Sequence, residues 1–276
     1  MPRADLHSHT TLSDGLLKPA ELLAAAVRAR VAVLSITDHD TLDAYRELPE
    51  REAGVELVTG VELSAFHDGH EVHILGYFVD PEAPALVSMV GRAVEGRLSR
   101  ARRILMRLAE AGIQIPEEYQ AELMANHRVG RPHIARAMVK AGAVASTKEA
   151  FRFWLTPGMP GYERRPDLPD AREAVRAIVA AGGVASFAHP GTGCVAEPAS
   201  MQALVDAGMK AIEVYHPRHS KSEVGQLERF AQGRGLVATG GSDFHGEGRE
   251  GAHVGDTGVE LGTLDRLRAH CKGVAR

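Results

Sequence analysis

The segment DLHSHTTLSDG, residues 5–15, places His7, His9 and Asp14 within eight positions. In an extended chain the side chains at i and i+2 point to the same side, so His7 and His9 can face one ion together. Asp243 and His245, in GGSDFH, repeat the arrangement with a carboxylate in the first place. Imidazole and carboxylate ligands without thiolate suit Zn, Mn or Fe, and differ from a structural zinc site of cysteines. Residues of the same kind close other apolar runs: His39 after VAVLSITD, Glu62 near the end of VELVTGVELSAF, and His189 after VASFA. With His73 the candidate ligands are His7, His9, Asp14, His39, Glu62, His73, His189, Asp243 and His245. Four protein ligands complete a structural zinc site, whereas catalytic sites keep positions open, so nine imply two or three ions with Glu62 able to bridge. His73 lies inside its run EVHILGYFV, and taken alone it reads as a hydrogen-bonded structural histidine.

Residues so far apart need a scaffold that brings them to one place. The chain alternates β-branched apolar runs with amphipathic helical patterns: ADLHSH, the helix 18–30 with Pro19 in its first turn, VAVLSITDH, a helix from about Thr41, and a hairpin formed by 55–66 and 71–79 around HDGH. After residue 168 the strands VASFAHP, KAIEVYHP and LVATGGSDFH alternate with helices, and LGTLDRLRAHCKG closes the chain as a helix. Such alternation implies parallel strands covered by helices. Polar residues at the ends of five strands favour a closed barrel of about seven strands, because a barrel brings every strand end to one rim. A doubly wound sheet would join only those near its switch point. The expected fold is therefore a distorted (β/α)7 TIM-like barrel from residues 1–96 and 169–276. Residues 97–168 carry helical patterns and no strand pattern, and are expected to be an inserted lid or substrate-reading domain over the rim.

Composition excludes several alternatives. The chain has 276 residues and a formal net charge of -4, with no basic excess of the kind that long nucleic acids attract. No apolar run approaches the 18 or so residues of a membrane span and no signal-peptide core is present, so the cytoplasm is the expected compartment. Cys194 and Cys271 are too few for a disulfide framework. Fourteen histidines stand against five tyrosines and one tryptophan, and their concentration at strand ends is what singles them out.

The blocks DLHSHTTLSDG, ITDHD, GVELS, AHP and GGSDFH, in this order between residues 5 and 245, resemble those of the PHP (polymerase and histidinol phosphatase) phosphoesterases. The resemblance implies a trinuclear centre. His7, His9, Glu62 and Asp243 would hold one ion, Asp14, His39 and His245 a second, and Glu62, His73 and His189 a third, which makes His73 a ligand. Some members of the family carry histidine where this chain has Asp14. The segment RVGRPHIARAMVKAG with EAFRFWL is similar to the insertion of small bacterial members that act on nucleotides. That likeness implies removal of the 3′-phosphate from nucleoside 3′,5′-bisphosphates, with manganese as the expected ion and Zn or Fe as alternatives. A 5′–3′ exonuclease on short RNA, or a phosphatase for another small ester such as histidinol phosphate, is the other outcome it implies. No membrane and no stable protein partner are implied.

Charge balance agrees with a phosphoryl substrate. Three divalent ions, less Asp14, Glu62, Asp243 and a bridging hydroxide, leave about +2 to meet a phosphate monoester dianion. Two ions roughly 3.5–4 Å apart would acidify a bridging water that attacks phosphorus in line. The expected catalytic residues are Asp14, His39, Glu62, Asp243 and His245. Arg131 and His133 are the expected substrate contacts, because Gly130-Arg131-Pro132 opens a helix whose free N–H groups suit an anion. His216 joins them; it or a metal-bound water could protonate the leaving group, and the sequence singles out neither.

Overall fold

The computed structural model describes residues 3–48, 51–52, 54–165, 167–190, 198–246 and 253–271. It divides into two compact units, Met1–Val90 with Pro169–Arg276, and Gly91–Leu168. Cys194 lies outside the described residues.

The first unit is built on one sheet. Its strands are β1 (Arg3–Asp5), β2 (Val31–Ile36), β3 (Arg51–Glu52), β4 (Val55–His67), β5 (His70–Tyr77), β6 (Val184–Phe187), β7 (Ala211–Tyr215), β8 (Val237–Gly240) and β9 (Val259–Glu260). They are ordered β8-β7-β6-β5-β4-β2-β1-β9, with β3 paired to β4. The pairs β1–β2, β2–β4, β6–β7 and β7–β8 are parallel, whereas β5 runs antiparallel to both β4 and β6. β8, at one end of this row, meets β1 beside the other end. Leu6 N–H donates to Gly240 O at 3.3 Å, His9 N–H to Phe244 O at 2.9 Å and Asp243 N–H to His7 O at 2.8 Å. The sheet thus curls into a barrel of seven principal strands with one strand reversed. Its seam is the pair of segments that carry the two ligand doublets.

Packing sorts the side chains by face. Alternate residues Ala4, Val33, Val58, Leu75, Tyr77, Val184, Ala211 and Val237 form one buried cluster with Leu264 and Leu267 of the closing helix α10 (Gly262–Arg268). This cluster fills one end of the barrel's interior. Further along the same faces come Ser35, Thr37, Ser186 and Thr239, all buried, and then the histidines and carboxylates. The outer faces pack against helices. Helix α1 (Pro19–Arg28) buries Leu22, Leu23 and Ala26 against Leu34 and Ile36. It starts cleanly because Pro19 fits the first turn and the Glu21 carboxylate accepts the Lys18 N–H at 2.8 Å. The expected helix from Thr41 is shorter, spanning only α2 (Ala44–Glu47), because Thr41 Oγ1 accepts the Asp43 N–H and holds a turn instead.

Helix α3 (Pro84–Glu110) runs from the first unit into the second. The second unit continues with α4 (Glu117–Ala125), α5 (Arg131–Lys140), α6 (Thr147–Ala150) and a π-helical turn, Phe151–Leu155, around a core that includes Ile104, Leu108, Ile134, Met138 and Leu155. The first unit resumes with α7 (Ala171–Ala180), α8 (Pro198–Asp206) and α9 (Lys221–Arg234). Among the described residues no helix is long and apolar enough to cross a membrane.

The seam sets a steric demand. A Cβ built on Gly241 would collide with the backbone and Cβ of His7. Gly241→Ala is therefore expected to cost about 1–3 kcal/mol of stability, the scale of overpacking a filled interior. Gly233→Ala, in α9 with open space around its Cα, is expected to be neutral or slightly stabilising. Urea denaturation of the two variants checks both.

Candidate metal centre

The rim gathers all nine expected ligands. His7 and His9 flank Ser8, whose hydroxyl donates to Ser35 O at 2.8 Å, so both rings turn inward from the seam. Glu62 and Ser64 share a face of β4, and Ser64 is directly opposite His73 on β5. Because β5 is the reversed strand, its beginning lies at the same rim where the parallel strands end. That is how a histidine near the start of a strand joins ligands at the ends of the others. His39, His189, Asp243 and His245 follow directly on β2, β6 and β8.

Glu62 is the hub, fully buried. Its Oε2 lies 3.3 Å from His7 Nε2, 3.2 Å from His9 Nε2 and 3.1 Å from His39 Nδ1. Its Oε1 lies 2.8 Å from His73 Nδ1 and 3.1 Å from His189 Nε2. One oxygen thus faces one group of imidazoles and the other a second group. Asp243 Oδ1 stands 3.3 Å from both His7 Nε2 and His9 Nε2, which are themselves 3.1 Å apart. Four ligand atoms about 2.0–2.2 Å from one tetrahedral ion stand roughly 3.3–3.6 Å from one another. The separations of 3.1–3.3 Å lie at or just below that spacing. Asp14 forms a further group with His9, His39 and His245, its Oδ1 3.1 Å from His245 Nε2.

The donor chemistry fits metal ions. The buried Nδ1 atoms of His9, His39 and His73 and the Oε2 of Glu62 make no hydrogen bond, although nitrogen and oxygen stand in contact. Donor atoms crowded together without hydrogen-bond geometry between them are what cation ligands look like.

The electrostatics say the same. Burial pushes His7 down, but Glu213, Glu62 and Asp243 outweigh it and hold its pKa well above the usual value. His9 is raised to about 10, against the opposing effect of burial, by Asp243 and Glu62. Burial instead takes His39 down to about 3, so it stands neutral with a lone pair available. Burial opposes ionisation of Asp14, Glu62 and Asp243, yet the surrounding imidazoles keep all three well below the ordinary carboxylate range. Without cations, a proton on the His7–His9 pair, whose Nε2 atoms are 3.1 Å apart, supplies positive charge beside the carboxylates.

A buried support shell surrounds these residues, and the sequence reading missed most of it. Asp38 accepts Thr10 N–H at 2.7 Å, Thr10 Oγ1 at 2.6 Å and Ser13 Oγ at 2.5 Å, pinning the loop between His9 and Asp14. Asp40 accepts Ser64 N–H at 2.8 Å. Asp5 accepts the N–H groups of His7 and Ser242. Glu213 meets His7 Nδ1 at 2.9 Å and His189 N at 2.8 Å. The available signal was a carboxylate at the inward position of an otherwise apolar strand, AIEVY. Asp40, His189 and Asp243 have positive φ angles of 52°, 30° and 50°. Such strained backbone is held only where its surroundings over-determine it, and it gathers at functional sites.

The expected substrate contacts are placed differently. His216 is buried beneath Asp243, its Nε2 3.2 Å from Oδ2. A ring held there steadies the carboxylate. Arg218, two residues on and half exposed, brings Nη2 to 3.1 Å from the same oxygen. Arg131 and His133 belong to the second unit. There Arg131 lies over the Tyr162 ring, 5.8 Å from its centroid, and His133 Nδ1 accepts the Gly130 N–H at 3.1 Å at the start of α5.

Fold and site define a class: an α/β barrel with a histidine–carboxylate centre for metal ions at its strand ends. Comparison with known proteins places the chain within that class. Residues 5–150 match the PHP domain family model. The chain is 37% identical to the 3′,5′-nucleoside bisphosphate phosphatase of Chromobacterium violaceum, covering 93% of this chain and 92% of the relative. It is also 37% identical to the phosphoribosyl 1,2-cyclic phosphate 1,2-diphosphodiesterase of Eggerthella lenta, covering 91% and 97%. A crystal structure from Bifidobacterium adolescentis, described as a metal-dependent phosphoesterase, superposes with a TM-score of 0.91 at 28% identity over 99% of this chain and 98% of the other. The chain belongs to the PHP family of metal-dependent phosphoesterases.

The protonation pattern carries a pH dependence. His9 titrates at about 10 in the metal-free protein, against an ordinary 6.5. A raised pKa contributes stability below pH 6.5 that is lost as pH rises toward 10. A metal ion needs the neutral ring, so binding at pH 7 must release a proton. Calorimetric titration with manganese in buffers of different ionisation enthalpy is expected to show that release. Apparent affinity is expected to rise between pH 7 and 10, while the melting temperature of the chelator-treated protein falls over the same range.

Proposed function

We propose that this protein is a metal-dependent phosphatase that removes the 3′-phosphate of nucleoside 3′,5′-bisphosphates, yielding the nucleoside 5′-monophosphate and phosphate. The observation that carries the reading is the division of Glu62 between two groups of imidazoles, which gives a rim suited to several cations. The relative with the phosphatase name, matched over nearly the whole of both chains, supports the choice of ester.

In this reading His7, His9, Glu62 and Asp243 hold one ion, Asp14, His39 and His245 a second, and Glu62, His73 and His189 a third, with manganese the preferred metal. Divalent ions bound there supply Lewis acidity, which lowers the pKa of water and offsets charge on phosphoryl oxygens. The chain's own residues do the remaining work. Asp243, steadied by His216 and Arg218, keeps its Oδ1 toward His7 and His9. Arg218 offers a half-exposed guanidinium to an equatorial phosphoryl oxygen. Residues 97–168 serve as the substrate-reading domain, with Arg131 and His133 contacting the nucleotide. Residues 91–168 carry fourteen Lys and Arg against eight Asp and Glu, a positive excess inside a chain of net negative charge that favours an anionic substrate.

The diesterase relative, at the same identity, gives a phosphodiester substrate as the second reading. Phosphate release from a panel of esters with added manganese separates the two. Adenosine 3′,5′-bisphosphate is expected to be hydrolysed fastest. Faster turnover of a cyclic phosphodiester, histidinol phosphate or a 5′-phosphorylated oligonucleotide overturns the assignment. In the same assay Arg131→Ala is expected to raise KM about 10- to 100-fold at unaltered metal content, the loss of a charged hydrogen bond.

A further inference from the structure

The carboxylate of Glu213 is fully buried on β7, below the histidines and outside the ligand set. Its two oxygens are used separately. Oε1 is 2.9 Å from Nδ1 of His7, and Oε2 accepts the backbone N–H of His189 at 2.8 Å. The first contact decides where the His7 proton resides. A carboxylate requires a donor, so Nδ1 carries a proton and Nε2 is the atom left to face the group of His9 Nε2, Glu62 Oε2 and Asp243 Oδ1. The second contact bears on a strained backbone. His189 has φ 30°, outside the regions an ordinary residue prefers, and in that conformation its ring reaches Glu62 Oε1 at 3.1 Å.

The two histidines meet different oxygens of the hub, His7 at Oε2 of Glu62 and His189 at Oε1. We infer that Glu213 is a positioning residue that prepares two ion sites at once. It sets the ring of a ligand in one and the backbone of a ligand in the other, and its hydrogen bonds reach none of Asp14, His39 and His245. The inference rests on the metal centre proposed above. It adds a coupling: the two ions bridged by Glu62 are gained and lost together, whereas the third is not.

Glu213→Gln in the full chain tests this. The carboxamide keeps the volume but has one acceptor, so it can serve His7 or His189 and not both. Wild type and variant are stripped with chelator and titrated with manganese, with bound ions counted by elemental analysis. The variant is expected to bind two of its ions 10- to 100-fold more weakly, the usual loss when such a partner is removed. One equivalent is expected to keep wild-type affinity, and the melting temperature of the metal-free variant to stay within a few degrees of wild type. Unchanged stoichiometry and affinity overturn the inference, as does equal weakening of every ion together with a fall in metal-free stability. A wild type that binds no manganese overturns both this inference and the functional reading, so the two failures are distinct. Should the variant not fold, nitrogen NMR of the zinc-loaded wild type decides: His7 protonated on Nδ1 supports the assignment, and His7 bound through Nδ1 overturns it.

Discussion

Closure of the barrel and assembly of the site are one event. The hydrogen bonds that join the extension of β1 to β8 and its extension involve Leu6, His7, His9, Gly240, Asp243 and Phe244. The residues flanking Ser8 and Phe244 are thus ligands and seam at once, and Ser8 pairs with Phe244 as a parallel bridge between them. An open sheet would leave His7 and Asp243 on opposite edges. Gly241 is the allowance this demands: the strands approach so closely that a methyl group there meets the His7 backbone. Sequence positions more than two hundred apart become hydrogen-bonded neighbours, and the remaining ligands only need to line the rim between them.

Such an arrangement is costly without cations. Glu62, His7 and His9 are fully buried, and Asp14 nearly so. An isolated buried charge is strongly unfavourable, and the usual remedy is a pKa shift that neutralises it. Here mutual proximity works the other way, keeping the carboxylates ionised and favouring a proton on the His7–His9 pair. His39, driven down by burial, remains neutral. The balance is a proton-for-metal exchange in which the same lone pairs serve either cation. Function therefore requires a pH at which metal outcompetes protons, and the crowding of imidazoles about Glu62 sets that competition.

The strand ends were legible because each coupled a β-branched apolar run to a residue type that does not belong in one: His39 after VAVLSITD, His189 after VASFA, Asp243 and His245 after LVATGG. The hairpin around HDGH was legible from its turn residues. His73 was not, on residues alone, because a histidine inside a strand is ordinary; only the reversal of β5 brings its early residues to the rim where the others end. Resemblance to a family supplied it where periodicity could not. The contact between His216 and Asp243 was not legible, because a polar residue after a strand looks the same whether it faces solvent or a carboxylate. The place of His216 under Asp243 depends on the neighbouring strand.

The motif TDHD shows a second kind of information that spacing hides. Three of its four residues are ionisable, yet only His39 lies within the candidate ligand groups. Asp38 ties the 10–13 loop through three hydrogen bonds, and Asp40 ties β4 through Ser64. Asp5 does the same for the seam through His7 and Ser242. Each of these carboxylates accepts backbone N–H groups from a segment adjacent to a ligand, so each restricts a main chain instead of contributing a donor atom. A ligand atom must be placed to a few tenths of an ångström, and a side chain cannot hold that position if its backbone wanders. Buried acidic residues outside the ligand set are thus a predictable companion of a crowded cation site. In a sequence they are found by asking which carboxylates interrupt strands that are otherwise apolar.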